Sequence, residues 1–103
     1  MKVAAAQIDV AFRQVETNLA HIERRIDQAA AGGAQLVVFP ECAVTGYCFH
    51  DRGEAMSYTD SIPGPTTERL AEACREAGIF AVVGMLERDG DKAYNACVLV
   101  GPG

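Results

Sequence analysis

The sequence lacks an excess of positive charge, a long apolar run and any N-terminal leader pattern. Nine Lys and Arg residues against fourteen Asp and Glu give a formal net charge of -5 without a basic cluster, which argues against nucleic acid as a partner. No apolar stretch approaches the ~20 residues that a membrane span requires, so we predict no membrane partner. Lys2 leads into a short apolar segment without a cleavage site, so nothing there resembles a signal peptide.

The cysteines also lack the spacing of a disulfide framework or of a closed zinc site. Cys42, Cys48, His50 and Asp51 lie near one another in the sequence, but their spacing matches no zinc signature and chance proximity explains it better. No Gly-x-Gly-x-x-Gly or Gly-Lys-Ser/Thr pattern indicates a phosphate-binding loop. We therefore expect a cytoplasmic protein with reduced thiols, no metal and no cofactor.

The remaining pattern is that of one small α/β domain. Of the 103 residues, 50% are apolar and 22% are charged, a composition that favours a globular domain over a disordered chain. Short apolar segments predict strands at residues 3–8, 36–39, 79–86 and 93–100. Asp89-Gly90 predicts a hairpin between the last two strands.

Two stretches have the three- and four-residue apolar spacing of an amphipathic helix. The apolar face of the first is formed by Val15, Leu19, Ile22, Ile26 and Ala29. This helix ends at Gly32 and Gly33, which favour a left-handed cap. The second helix is predicted to be capped by Thr66 or Thr67 and to end at Gly78.

The predicted order of elements is β-α-β-α-β-β. A helix between two strands of one sheet makes those strands parallel. Between the second strand and the second helix, residues 44–65 are predicted to form a long irregular segment. Segments of this length are often functional, so we expect this one to form a wall of a pocket.

Glu41 stands directly after the second predicted strand. The apolar run at residues 36–39 is too short for a helix, and Pro40 ends it because proline cannot donate to a strand ladder. Open α/β sheets place their ligand sites outside the carboxyl ends of the strands, and a wholly buried carboxylate would be costly. Glu41 is therefore our candidate functional residue, with a solvated loop glutamate as the alternative.

In its order of motifs, the whole chain resembles the N-terminal portion of the nitrilase superfamily, the carbon-nitrogen hydrolases. The matching residues are Val3-Ala4-Ala5-Ala6-Gln7, Asn18-Leu19, Gly33-Ala34-Gln35-Leu36-Val37-Val38-Phe39-Pro40-Glu41, Thr45-Gly46-Tyr47, Gly64-Pro65-Thr66, Val83-Gly84 and Tyr94-Asn95. The resemblance implies an α/β fold that is the front part of a four-layer α-β-β-α sandwich. Residues 1–103 would then be a truncated N-terminal part of a single domain.

The resemblance also implies a hydrolase of non-peptide carbon-nitrogen bonds, in small-molecule amides, carbamoyl compounds or nitriles, with a catalytic glutamate, lysine and cysteine. Glu41 matches the glutamate, the general base that generates the thiolate. Lys92 lies upstream of the position of the family's lysine, and none of the four cysteines matches the nucleophile's motif. We therefore expect this chain to supply only the base, to be inactive alone, and to belong to a homo-oligomeric enzyme.

Three further residues are considered for the region of the site. Tyr47 could line the pocket and bind substrate, or be a core aromatic under the loop. Cys42 is expected to be a small buried thiol and not the nucleophile, because neighbours on an extended chain point to opposite sides. Asn95, beside Tyr94, is expected to tie down backbone in the sheet near the site, outside the catalytic set.

Two other classes of function remain open from the sequence. One is a non-catalytic module that keeps the front half of the fold for binding or assembly. The other is an unrelated small α/β domain whose Glu41 recognises a ligand, which predicts a stable monomer. The enzyme hypothesis predicts instead that the 103-residue chain exposes a sheet face and edges, and therefore associates or aggregates.

Overall fold

A computed structural model describes residues 1–46 and 52–103, the latter without the side chain of residue 52. Its elements are β1 (Val3–Ala5), α1 (Val15–Ala31), β2 (Leu36–Val38), α2 (Arg52–Met56), α3 (Pro65–Ala77), β3 (Phe80–Asp89) and β4 (Lys92–Val100). The strands form one sheet in the order β1-β2-β3-β4, in which β1, β2 and β3 are parallel and β4 is antiparallel to β3. The α/β class and the parallel strands are confirmed. None of the helices described has both the length and the apolarity needed to cross a membrane.

The hydrophobic core lies between one face of the sheet, called the inner face here, and helices α1 and α3. The helices contribute Leu19, Ile22, Ile26, Leu70, Ala73 and Cys74, and the sheet contributes Val37, Ala81, Val83, Met85 and Val100. The helical side chains recur at three- and four-residue spacing, and those of the strands at alternate positions along β3, as burial on a single face requires. The predicted apolar face of α1 is confirmed at Leu19, Ile22 and Ile26.

The opposite face of the sheet, the outer face, carries apolar side chains that no described element covers. The strand register places Val38 beside Val82, and Val82 beside Leu99, in one row across β2, β3 and β4. Val38 is 37% exposed and Leu99 is 68% exposed. The described residues therefore form two layers, one of helices and one of strands, and this outcome agrees with the predicted exposed sheet face.

Strand β1 is shorter than predicted, because it ends at Ala5 instead of at residue 8. Its neighbour β2 ends at Val38, and the chain then leaves the sheet through Pro40. The N–H of Ala6 still donates to the carbonyl of Val38 at 2.8 Å. Beyond that bond β1 has no strand to pair with, so residues 7–10 leave the sheet.

The segment predicted as irregular contains the five-residue helix α2 and a bridge to the sheet. The N–H of Asp60 donates to Leu86 at 3.1 Å, and the carbonyl of Asp60 accepts from Arg88 at 2.8 Å. These bonds extend the edge of β3 at its carboxyl end. The prediction of a wholly irregular segment was therefore wrong, since its second half is tied to the sheet.

Helix α3 begins at Pro65, one residue before the first of the two predicted caps. Gly64 occupies the cap position, and proline suits the first helical position because its missing N–H has no helical partner there. Thr67 Oγ1 accepts a bond from the Gly64 N–H at 2.8 Å, and Asp60 Oδ2 accepts one from the Thr66 N–H at 2.9 Å. The threonines thus contribute to the cap from inside the first turn, and a more distant aspartate completes it.

The predicted chain reversals are confirmed. Gly78 ends α3 with a φ of 75°, a left-handed conformation that costs glycine little. A two-residue turn joins β3 to β4, in which Asp89 pairs with Lys92 and Gly90 has a φ of 62°. The hairpin strands are longer than predicted at the turn end, where residues 87–89 extend β3 and residue 92 extends β4.

Candidate active site

After β2, the chain continues through Phe39 and Pro40 into a tight turn, of which Glu41 is the first residue. The N–H groups of Gly46 and Thr45 both bond to the carbonyl of Cys42, at 2.8 Å and 3.3 Å. Cys42 has a φ of 49°, which is uncommon for a residue other than glycine. The turn buries Cys42, Val44 and Thr45, whereas Glu41 is exposed. A carboxylate is thus presented at the carboxyl end of a parallel strand, as the sequence predicts.

Gly84 lets this turn lie directly on β3. A Cβ atom at Gly84 would stand 2.6 Å from the Cys42 nitrogen and 2.7 Å from the Pro40 oxygen. The carbonyl of Gly84 also accepts a bond from the Val44 N–H at 3.4 Å. The sequence signal for this contact is a glycine inside a predicted strand, which often marks a close approach of backbone.

Asn18 fixes the other side of the turn, although from the sequence it contributes only to the family resemblance and was given no structural role. This residue of α1 is fully buried. Its Nδ2 group donates to the carbonyls of Val44 and Ala11, both at 2.8 Å, and its Oδ1 atom accepts from the Ala11 N–H at 2.8 Å. The amide therefore uses both donors and an acceptor inside the protein. The available signal is a polar residue four positions before Ile22, on the apolar face of the helix.

Asn95 reaches Glu41 from the neighbouring hairpin. Its Nδ2 group donates to Glu41 Oε1, and its Oδ1 atom accepts a bond from the Cys42 thiol at 3.6 Å. The prediction that Asn95 lies near the site is confirmed. The predicted backbone partner is wrong, because the contacts go to two side chains of the turn.

Cys42 is the buried thiol that the sequence predicts, with 2% of its surface exposed. Burial raises the pKa of this thiol, and the charge of the adjacent Glu41 raises it further. The neutral form is therefore favoured, so Cys42 is poorly suited to act as a nucleophile.

Glu41 separates two open pockets, each of about 370 Å³. The first lies on the outer face and is lined by Val38, Phe39, Pro40, Val82, Gly84, Asn95, Ala96 and Cys97. The second is lined by Ile8, Asp9, Val10, Phe12, Pro40 and Gly46. Cys97 is exposed and was given no individual role from the sequence. The carboxylate can therefore be approached from either side.

The substrate-binding prediction for Tyr47 falls outside the described residues, as do Cys48, His50 and Asp51 of the sequence cluster considered for a metal. Those predictions stay predictions. Within residues 1–46 and 53–103, no three His, Cys, Asp or Glu side chains come together in the way a metal ion would require. Lys92 lies at the start of β4, in the pair that closes the hairpin.

Comparison with known proteins gives the family to which this geometry belongs. The family described as carbon-nitrogen hydrolase matches residues 2–103. A nitrilase from Pyrococcus abyssi is 41% identical over 103 residues, which cover 99% of this chain and 39% of that protein. The omega-amidase NIT2 of Danio rerio is 35% identical over 102 residues, which cover 98% of this chain and 35% of that protein.

A solved structure gives the same result for the fold. The crystal structure of an N-terminal amidase superposes with a TM-score of 0.81 at 25% sequence identity, covering 97% of this chain and 25% of that one. The chain thus spans less than two-fifths of the length of these relatives. The match runs through β1, α1, the Glu41 turn and the β3–β4 hairpin, and it confirms the resemblance seen in the sequence. The chain belongs to the carbon-nitrogen hydrolase family.

Proposed function

We propose that the complete gene product hydrolyses a carbon-nitrogen bond in a small molecule, and that Glu41 is its general base. The observation that carries this proposal is the exposed carboxylate at the end of β2, which borders two pockets and accepts a bond from Asn95. Glu41 also occupies the position of the catalytic glutamate in the family motif that the sequence resembles.

The chemistry requires a base because few thiols are ionised at neutral pH. With an amide or carbamoyl substrate, Glu41 takes the proton of a cysteine thiol, and the sulfur forms a bond to the carbonyl carbon. The tetrahedral oxyanion is stabilised by a lysine. Its collapse breaks the carbon-nitrogen bond while Glu41 returns the proton to the leaving nitrogen. Glu41 then takes a proton from water, which attacks the thioester, and the sulfur leaves with a proton.

The names of the relatives set the range of substrates to be tested. They are a nitrilase, an omega-amidase and an N-terminal amidase. We propose an amide, a carbamoyl compound or a nitrile as the substrate. Hydrolysis of a primary amide, a carbamoyl group or a nitrile releases ammonia, so one assay covers all three classes.

The lysine and the nucleophilic thiol are assigned to no residue of this chain. We propose that residues 1–103 supply the base alone and have no hydrolase activity by themselves. For the complete enzyme we keep the proposals of a homo-oligomer and of a cytoplasmic location. Iodoacetamide should abolish ammonia release by the complete gene product, since the mechanism needs a free thiolate.

The test of Glu41 is the substitution Glu41→Gln in the complete gene product. Glutamine keeps the size and the acceptor oxygen for Asn95 but cannot take a proton, so kcat should fall roughly 10²- to 10⁴-fold. The thermal midpoint should change little, because Glu41 is exposed. Glu76→Gln, an exposed carboxylate on α3, is the matched control and should keep wild-type turnover. Glu41→Gln with wild-type turnover would contradict the proposed role.

A further inference from the structure

The amide of Asn95 connects the two side chains at the start of the Glu41 turn. Asn95 lies on β4 opposite Leu86, and its side chain is on the outer face together with that of Cys97, two residues along the strand. Its nitrogen donates to Glu41 and its oxygen accepts from Cys42. Both ends of one rigid amide are therefore used, and both contacts cross from the hairpin to the turn.

We infer that Asn95 is a positioning residue for Glu41 and that the Cys42 thiol sets the orientation of the Asn95 amide. This inference rests on the proposed function, since it assigns to Asn95 the task of holding the proposed base.

The orientation matters because an amide has one donating and one accepting end. If the Asn95 oxygen faced Glu41, two acceptors would oppose each other and the carboxylate would lose its contact. The Cys42 thiol favours the orientation in which the Asn95 oxygen faces it. A protonated thiol donates to that oxygen but offers the NH₂ group no strong acceptor. Burial and the charge of Glu41 raise the pKa of Cys42, so the thiol keeps the proton that this bond uses.

The contact also gives the two carboxylate oxygens of Glu41 different roles. Asn95 bonds to Oε1, which leaves Oε2 as the atom to receive the proton from the nucleophile and to return it to the leaving nitrogen. An exposed glutamate without such a contact has several rotamers of similar energy. A catalytic group displaced by about 1 Å can lose roughly 100-fold in rate, so holding one rotamer has a measurable consequence.

The first experiment replaces the donor of Asn95 in the complete gene product. Asn95→Asp keeps the shape and the oxygen facing Cys42 but replaces the NH₂ donor with an acceptor, so kcat should fall roughly 10- to 100-fold. KM should stay within about threefold, because a residue that only positions Glu41 acts on the reacting groups and does not bind the substrate. Asn95→Leu keeps the approximate volume without either bond and should show the same split. Unchanged kcat in both variants would overturn the inference.

The second experiment tests the role of Cys42. Cys42→Ser keeps a donor to the Asn95 oxygen, whereas Cys42→Ala removes it. We expect Cys42→Ser to retain more of kcat than Cys42→Ala does. The control for the buried cavity is Cys74→Ala, because Cys74 is a fully buried thiol on α3 and should keep its turnover. Equal kcat in the serine and alanine variants would overturn the orienting role of the thiol.

A double-mutant cycle separates this inference from the proposed function. If Asn95 acts only through the carboxylate, Asn95→Asp should have little further effect on kcat in a Glu41→Gln background. Additive losses would overturn the inference while leaving Glu41 as the base. Wild-type turnover in Glu41→Gln would instead remove the proposed function itself. The two failures therefore give different results.

Discussion

The two faces of the sheet are built from the same strands but differ in how far their side chains are covered. The inner face is covered by α1 and α3, and its side chains are apolar and nearly inaccessible, such as Val37 with 1% of its surface exposed. On the outer face, Val38 is 37% exposed and Leu99 is 68% exposed. The outer face also carries Asn95 and the first pocket bordered by Glu41.

Because of this difference, we expect the inner face to contribute mainly to stability and the outer face mainly to the chemistry of the site. A side chain on the inner face contributes by filling space between helix and strand, so its size matters more than its functional groups. A polar side chain on the outer face at the carboxyl end of β2 is accessible to a small molecule. Substitutions on the inner face should therefore change the free energy of unfolding, and substitutions around Glu41 should change kcat.

The largest expected effect on stability comes from Val37 of β2, and its neighbour Val38 provides the matched comparison. Val37→Ala removes two methyl groups from the inner face and leaves a cavity, which should cost about 2–3 kcal/mol of unfolding free energy. Val38→Ala makes the same change on the outer face, where the side chain is 37% exposed, and should cost about 1 kcal/mol or less. The measurement is urea unfolding of the 103-residue chain, at a concentration where sedimentation shows a monomer.

The substitutions Val37→Ala and Val38→Ala should also be compared in the complete gene product. The four-layer arrangement implied by the family would cover the outer face, and the cost of Val38→Ala should then rise towards that of Val37→Ala. Equal costs already in the 103-residue chain would contradict the distinction between the faces. Association of that chain, with a midpoint that depends on concentration, is the expected consequence of the exposed outer face.

The sequence was sufficient to predict features that depend on a repeating pattern or on residues adjacent in the chain. Apolar spacing predicted the face of α1, and Pro40 after a short apolar run predicted the place of Glu41. The sequence was not sufficient to predict contacts between residues that are far apart in the chain. Asn95 lies 54 residues from Glu41, and its partner depends on the register of β4. The cap of α3 was also predicted wrongly, at Thr66 or Thr67. Residue type alone did not show that Gly64 takes the cap position or that Asp60 accepts a bond from the Thr66 N–H.

A smaller effect, on both stability and rate, is expected at Gly84. Gly84→Ala places a Cβ atom against the backbone of Pro40 and Cys42, so the turn must move away from β3 at a cost of about 2 kcal/mol. Because Glu41 lies between those two residues, kcat should fall roughly tenfold or more. Thermal unfolding and the ammonia assay on the complete gene product measure the two effects together.

The matched control for Gly84→Ala is Gly32→Ala. A Cβ atom at Gly32 would stand 3.6 Å from its nearest neighbours, an ordinary contact, and the residue has no positive φ. Gly32→Ala should therefore leave kcat unchanged. If Gly84→Ala kept wild-type kcat with a lowered thermal midpoint, the turn would be important for stability alone.

The smallest expected effect concerns the charge of Asp60, which accepts a hydrogen bond at the start of α3. Burial acts to raise the pKa of Asp60, but hydrogen bonds from Thr66 and Ser61 and the charge of Arg88 lower it below its usual value. A lowered folded-state pKa stabilises the protein above the unfolded-state pKa of ~3.9, and this contribution is lost as the pH falls through the folded-state value. Asp60→Asn should therefore cost about 1 kcal/mol at neutral pH. The cost of Asp60→Asn should become smaller at a pH below both the folded-state and the unfolded-state pKa. The measurement is urea unfolding at the two pH values, and the control is Asp27→Asn, a substitution of an exposed aspartate. A cost that did not change with pH would show that the shape of Asp60, and not its charge, holds the start of α3.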